Sequence, residues 1–262
     1  MSNLTIIKIG GKVIDDPEAL AQFLSDFSKI EGNKILVHGG GKIASELGRK
    51  MGIEPKMHEG RRITDDATLE LVTMVYGGLV NKRIVSKLQA LEVDALGLTG
   101  ADANVLSAVK RPVKTVDYGY AGDVTVQDVN AARLTGFIEA GLVPVLCALT
   151  HDKAGKLLNT NADTIASILS AGLASQFEVN LTYCFEQPGV LSDFEKKTVI
   201  GHINGEVYEQ LRADGTINEG MIPKMDNAFD ALKAGVKEVR IGHFSEVLNL
   251  TLGSDSGTHI SL

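Results

Sequence analysis

Lys8 is the charged residue in the run Leu4-Thr5-Ile6-Ile7-Lys8-Ile9. A lysine on an apolar strand must bring its ammonium to water or to an anion, because burying it unpaired is costly. At the carboxyl end of a strand it points into the crevice where open α/β sheets bind ligands; on an edge strand it snorkels to solvent instead. Gly10-Gly11 follow it directly, and Gly39-Gly40-Gly41 follow the next apolar run, Lys34 to Val37. A glycine cluster between strand and helix offers backbone N–H groups at the positive end of a helix dipole, which together make an anion site. Two such loops suit two anionic groups, although each alone also suits a tight turn with close helix–sheet packing. Neither loop is of the Walker A type, since no Gly-Lys pair (Gly11-Lys12, Gly41-Lys42, Gly155-Lys156) precedes Ser or Thr.

A second polar cluster, Asn159-Thr160-Asn161-Ala162-Asp163, precedes the apolar helical run of Ile165, Ile168 and Leu169. Helix capping by Asn161 or Asp163 is its ordinary explanation. Gly220-Met221-Ile222-Pro223-Lys224 then sets a lysine near another helix start, where the dipole disfavours a cation, and that misfit argues for an anion close by. The Arg61-Arg62 doublet either forks a carboxylate or is merely solvated. Gly39, Gly41 and Ala44 also fit the dinucleotide pattern G-x-G-x-x-A, with Glu59 following at roughly the expected 20 residues. The six histidines have no partner at helical spacing and no cysteine at zinc spacing, so no protein-held transition metal is expected. Without a G-x-S-x-G elbow or another nucleophile signal, the attacking group is expected to belong to the substrate.

These groups need an alternating frame to hold them. Apolar runs at Leu4 to Ile9, Lys34 to Val37, Ala95 to Leu98, Val143 to Leu149, Phe177 to Tyr183 and Glu238 to Ile241 read as strands, and Thr258 to Leu262 as a last one. Helical spacing fills Pro17 to Lys29, Ile43 to Met51, Thr64 to Leu91, Ala131 to Ala140, Ala162 to Leu173, Gly205 to Leu211, Lys224 to Ala234 and Glu246 to Leu252. Gly77-Gly78 weakens the long one midway, and hairpins are expected at Lys110 to Val126 and around Gly189 to Ile200. Such βα alternation predicts an α/β fold with a mostly parallel sheet. The chain has 262 residues, 44% hydrophobic and 23% charged, enough for a sizeable core and unlike a disordered or coiled-coil chain. A net charge of −7 argues against nucleic acid or anionic lipid as partner. No signal peptide or spanning segment is legible, and two cysteines are too few for a disulfide framework, so a reducing cytoplasm is expected.

Taken in order, Ile7-Lys8-Ile9-Gly10-Gly11, Val37-His38-Gly39-Gly40-Gly41, Gly60-Arg61-Arg62-Ile63-Thr64, Asn159 to Asp163 and Gly220 to Lys224 resemble the amino acid kinase family across nearly the whole chain. The V-H-G-G-G, G-x-R-x-T and N-x-N-A-D segments are similar to its acylglutamate branch. The resemblance implies a three-layer αβα sandwich on one continuous sheet, with residues 1–150 as an N-terminal lobe for the acyl-amino acid and 151–262 as a C-terminal lobe for the nucleotide. It implies ATP-dependent phosphorylation of the γ-carboxylate of N-acetyl-L-glutamate in arginine biosynthesis, with Mg2+ carried by ATP. Lys8 and Lys224 would stabilise the transferring phosphoryl group and Asp163 would hold both lysines. Gly10, Gly11, Gly40 and Gly41 would bind phosphoryl oxygens, with Gly40, Gly41, Arg62 and Asn159 binding the glutamate portion. Where the family usually has Leu-Thr-Asp-Val and then Gly-Val, this chain reads Leu181-Thr182-Tyr183-Cys184-Phe185-Glu186-Gln187-Pro188-Gly189-Val190, so no acid is assigned there. The chain lacks ahead of its first strand the helix of arginine-inhibited hexameric members, and an unregulated homodimer is expected. Rival readings are N-succinyl-L-glutamate, glutamate 5-kinase or aspartokinase chemistry, a nicotinamide dehydrogenase, and a non-catalytic nucleotide or amino acid sensor.

Overall fold

The computed structural model describes residues 1–217 and 221–262, so Gly220 of the second lysine motif lies outside the described residues. β1 (Asn3–Ile9) leads through α1 (Gly11–Asp15) and α2 (Pro17–Ser28) to β2 (Asn33–His38) and α3 (Gly41–Lys50). A small ribbon, β3 (Met57–His58) and β4 (Arg61–Arg62), precedes α4 (Asp66–Val72), a π-helical stretch over Thr73–Val80, α5 (Asn81–Gln89) and β5 (Ala95–Leu98). β6 (Val109–Lys110) and β7 (Gly122–Asp123) pair before α6 (Ala131–Glu139), β8 (Val143–Cys147), the hairpin β9 (Leu149–His151) and β10 (Leu157–Asn159), and α7 (Ala162–Leu173). The chain continues through β11 (Glu178–Phe185), the ribbon β12 (Leu191–Asp193) and β13 (Thr198–Val199), β14 (His202–Ile203), α8 (Gly205–Ala213), α9 (Ile222–Lys233), β15 (Glu238–His243), α10 (Val247–Thr251) and β16 (Thr258–Ile260).

Eight strands form one sheet in the order β14-β16-β15-β11-β1-β2-β8-β5. From β15 to β5 every pairing is parallel; β16 runs antiparallel to β15, and β14 parallel to β16. Parallel strands covered on both faces must be apolar on both. Accordingly Leu4, Ile6, Ile7 and Ile9 of β1 are all fully buried, and Lys8 is the exception in their midst. α7 packs on β1, β2 and β11 beside α9, while α2 packs against α5 and α10, which contact β8 and β15 respectively. Asp16 caps α2 by accepting from the Glu18 and Ala19 amides, and Pro17 takes the first helical position, where its missing N–H costs nothing. α2 then buries Leu20, Phe23, Leu24 and Phe27 on one stripe.

Two expectations change. Between Lys110 and Val126 the antiparallel pairing is confined to β6 and β7, because Pro112 has no amide to continue the ladder, and Gly119 bridges to Thr64 instead. The long helix continues through Gly77-Gly78 by widening into the π-helical stretch rather than breaking. This places Tyr76 against the second glycine loop: a Cβ on Gly40, whose φ is +155°, would meet the Tyr76 ring at 3.0 Å.

Candidate active site

The parallel strands all end at one edge of the sheet, and there β1 and β2 run into the glycine loops. Lys8 lies in register with Val37 on one side and Tyr183 on the other, at the centre of the sheet. Its ammonium stands 2.7 Å from Asp163 Oδ1, and the Lys224 ammonium donates to Asp163 Oδ2 at 2.7 Å. The three side chains are only 12%, 11% and 20% exposed, so the pairing sits largely out of solvent. Two residues 216 positions apart thus share one carboxylate, and the anion that the position of Lys224 near a helix start demanded is Asp163. Asn161, not Asp163, caps α7: its side chain accepts from the amides of Asp163 and Thr164, leaving Asp163 free for the lysines.

Burial alone would raise the Asp163 pKa, but the adjacent Lys8 and Lys224 charges outweigh it and hold the carboxyl well below the usual range. Burial pushes the Lys224 ammonium down, and Asp163 opposes that shift. Tyr183 lies beneath this group, fully buried, with Lys224 Nζ 5.0 Å from its ring centroid and its hydroxyl donating to the Asp163 carbonyl at 3.2 Å. In the sequence Tyr183 ends a strand and departs from the family pattern; its cross-strand register with Lys8 becomes visible once the strands are paired.

Two clefts flank the lysine pair. The first, about 220 Å³, is lined by Gly40, Gly41, Arg62, Asn159 and Ala162 together with Arg61 and Arg111. Arg62 donates to the Gly41 carbonyl at 2.8 Å and to Ser45 Oγ at 2.7 Å, and Asn159 donates to Thr64 Oγ1 at 3.0 Å. Arg111 is held by Asp123, with Nε 2.9 Å from Oδ1. The second cleft, about 330 Å³, is lined by Lys12, Phe185, Glu186, Leu191, Phe194, Met221 and Lys224, and Lys12 pairs with Glu186 across its wall at 2.8 Å. Lys224 faces this cleft while Ala162 faces the other, so Asp163 lies where they approach one another.

The glycines divide. Gly40 and Gly41 line the first cleft, and Gly41 begins α3, where backbone amides have no intrahelical acceptor. Gly11 opens α1 in the same way. Gly10 does not keep its amide for a ligand: that N–H donates to the Cys184 carbonyl at 2.8 Å and extends the ladder between β1 and β11. That bond takes Gly10 out of the expected phosphate donors, and what calls for glycine there is close packing on β11, with Phe185 Cβ only 3.3 Å from where a Cβ would stand. The dinucleotide reading fails as well, because Glu59 sits in the turn of the β3–β4 ribbon with its side chain 79% exposed rather than at the end of a neighbouring strand. Among the described residues no group of three or more His, Cys, Asp or Glu side chains could hold a metal ion, and both Asp163 oxygens are taken by ammonium groups. A divalent ion at this centre would consequently have to bring its own oxygen ligands.

The model of the amino acid kinase family matches residues 3–243. The acetylglutamate kinase of Cytophaga hutchinsonii is 54% identical over 252 residues, covering 95% of either chain. Among solved structures, smu.665 of Streptococcus mutans superposes with a TM-score of 0.77 at 29% identity, over 98% of each chain. An N-acetylglutamate synthase of Neisseria gonorrhoeae, solved with coenzyme A and N-acetyl-glutamate, gives 0.83 at 22% identity over all of this chain and 59% of that one, a likeness of fold alone.

Proposed function

We infer that this chain, which belongs to the amino acid kinase family, transfers the γ-phosphoryl group of ATP to the γ-carboxylate of N-acetyl-L-glutamate, giving the acyl phosphate. The observation that carries the chemistry is the pair of ammonium groups bound to one shielded carboxylate between two clefts. A substrate carboxylate is already ionised at neutral pH, so no general base is needed. Phosphoryl transfer asks the protein for positioning and charge neutralisation. In this reading residues 1–150 supply most of the acyl-amino-acid cleft, with Arg62 binding the glutamate portion together with Asn159 from the second half, and residues 151–262 supply most of the nucleotide cleft, with Lys12 reaching it from the first half. Lys8 and Lys224 neutralise charge on the phosphoryl oxygens as they spread in flight, and amides of Gly11, Gly40 and Gly41 donate to the same oxygens. Asp163 fixes the separation of the two ammonium groups. Mg2+ carried by ATP would supply further charge neutralisation; no residue of the chain is assigned to it.

The chain works as a cytoplasmic homodimer in arginine biosynthesis, the apolar helix with exposed Met74 and Leu79 supplying the contact. Light scattering should then give twice 27.9 kDa. ADP release measured with acetyl-, succinyl- and unsubstituted glutamate at matched concentrations tests the reaction. N-acetyl-L-glutamate should turn over fastest, and inertness toward all three would end the acylglutamate reading.

A further inference from the structure

Three consecutive glycines, Gly39 to Gly41, carry no Cβ to fix their peptide planes, yet a donor aimed at a transferring group must be fixed before the reaction. His38, the last residue of β2, lies directly behind them and is fully buried. Its Nδ1 is 2.8 Å from the Gly39 carbonyl, and its Nε2 is 3.0 Å from Asn81 Nδ2, whose amide also donates to the Val145 carbonyl at 2.9 Å. Asn81 Oδ1 accepts from Lys82 Nζ at 3.1 Å, so the amide is held with its nitrogen toward the ring. An Asn N–H at Nε2 leaves that nitrogen to accept, and the ring proton must therefore sit on Nδ1 and point at the Gly39 oxygen. In a trans peptide the C=O and the following N–H point in opposite directions. Pinning the Gly39 carbonyl inward thus turns the Gly40 N–H outward, on the side where Gly40 lines the acyl-amino-acid cleft.

We propose that His38, locked as its Nδ1–H tautomer by Asn81, is a positioning residue that sets the Gly39–Gly40 peptide plane and so aims the Gly40 amide at the transferring phosphoryl group. The proposal rests on the kinase reading for its target, but the lock is a property of the unliganded chain. Burial depresses the ring pKa to about 4, which keeps the imidazole neutral at working pH. An apolar side chain here would leave the Gly39 carbonyl without this donor and Asn81 Nδ2 with one acceptor fewer, so the position uses the ring's two nitrogens and not its volume alone.

Ring 15N NMR of the wild-type protein reads the tautomer without any turnover, and the proposal requires a protonated Nδ1 and a bare Nε2 for His38. Asn81→Asp, which puts an acceptor opposite Nε2, should draw the proton there or create the imidazolium. It should lower kcat at least about 10-fold with KM for either substrate changed less than about 3-fold, because a misaimed donor is lost mainly in the transition state. His38→Leu should lower kcat similarly, and His38→Asn, whose amide N–H can take the place of Nδ1–H, should recover most of that loss. A wild-type Nε2–H tautomer, wild-type kcat in Asn81→Asp, or equal activity in the leucine and asparagine variants would each overturn the proposal. Failure of the wild-type protein to form any acyl phosphate would instead strike the kinase reading and leave the tautomer result standing.

Discussion

Because Asp163 separates Lys8 from Lys224 at 2.7 Å on either side, its charge serves both the stability of the site and the ionisation of Lys224. Lys8→Ala and Lys224→Ala should each lower kcat by at least about 100-fold, the scale expected for removing a preorganised transition-state donor, and each should also lower Tm, because one oxygen of the shielded Asp163 carboxylate loses its ammonium. Asp163→Asn should behave differently. The Lys224 ammonium is already depressed by burial and is supported by Asp163, so neutralising that partner depresses it further. The alkaline limb of the kcat profile should move to lower pH, and a limb that stays in place would show that Asp163 does not govern Lys224. His38 gives a separate pH dependence, this time of stability. Its folded pKa, pushed from 6.5 to about 4 by burial, lies below the unfolded value, so the unfolded chain binds the extra proton first. Stability should be fully present above about pH 6.5 and fall by roughly 3 kcal/mol as pH drops toward 4, readable as a shift in the urea midpoint.

At the level of elements, helix packing sets how close the glycine loop comes to its neighbours. Gly48 of α3 approaches α4 and the following turn so tightly that a Cβ there would meet Leu71 Cδ2 at 2.7 Å and the Ile53 carbonyl at 2.8 Å. Gly48→Ala should therefore lower stability by about 1–3 kcal/mol, seen in Tm, through overpacking rather than through chemistry. Much of this framework was legible beforehand, since an apolar run ending in glycine, followed by helical spacing, is what a parallel strand and its crossover helix require. α7 is the plainest case: Ile165, Leu169 and Leu173 are buried along it, Asn161 caps it, Asn159 lines the first cleft and Asp163 holds the two lysines. The β3–β4 ribbon, the β9–β10 hairpin and the short α1 left no comparable trace, because two to five residues with mixed exposure carry no period to read. Lys8 and Lys224 stand out in the sequence as charges misplaced on their elements, whereas Asp163 passes there for a helix cap and is singled out only by the family resemblance, and Gly10 and Tyr183 depend on strand pairing, which single-chain periodicity does not contain.

For the whole molecule, one sheet holds both clefts and the reaction centre lies where its strands β1 and β11 meet. Occupying either cleft should stabilise the same cooperative unit, and N-acetyl-L-glutamate with ADP, each at about 100 times its Kd, should add about 2.7 kcal/mol apiece, measured as ligand-dependent Tm. A single transition rising with either ligand would agree with this, while two separate transitions would mean that the halves unfold independently. The place of β1 also has a consequence during synthesis. Asn3 pairs with Glu178, so the first strand to leave the ribosome must wait for about 175 more residues before its second neighbour exists. At roughly 5–20 residues per second that delay is on the order of 10–35 s. Throughout it, one flank of a strand in which four of seven residues are isoleucine or leucine lies open, an invitation to self-association that a nascent-chain chaperone would have to decline on its behalf.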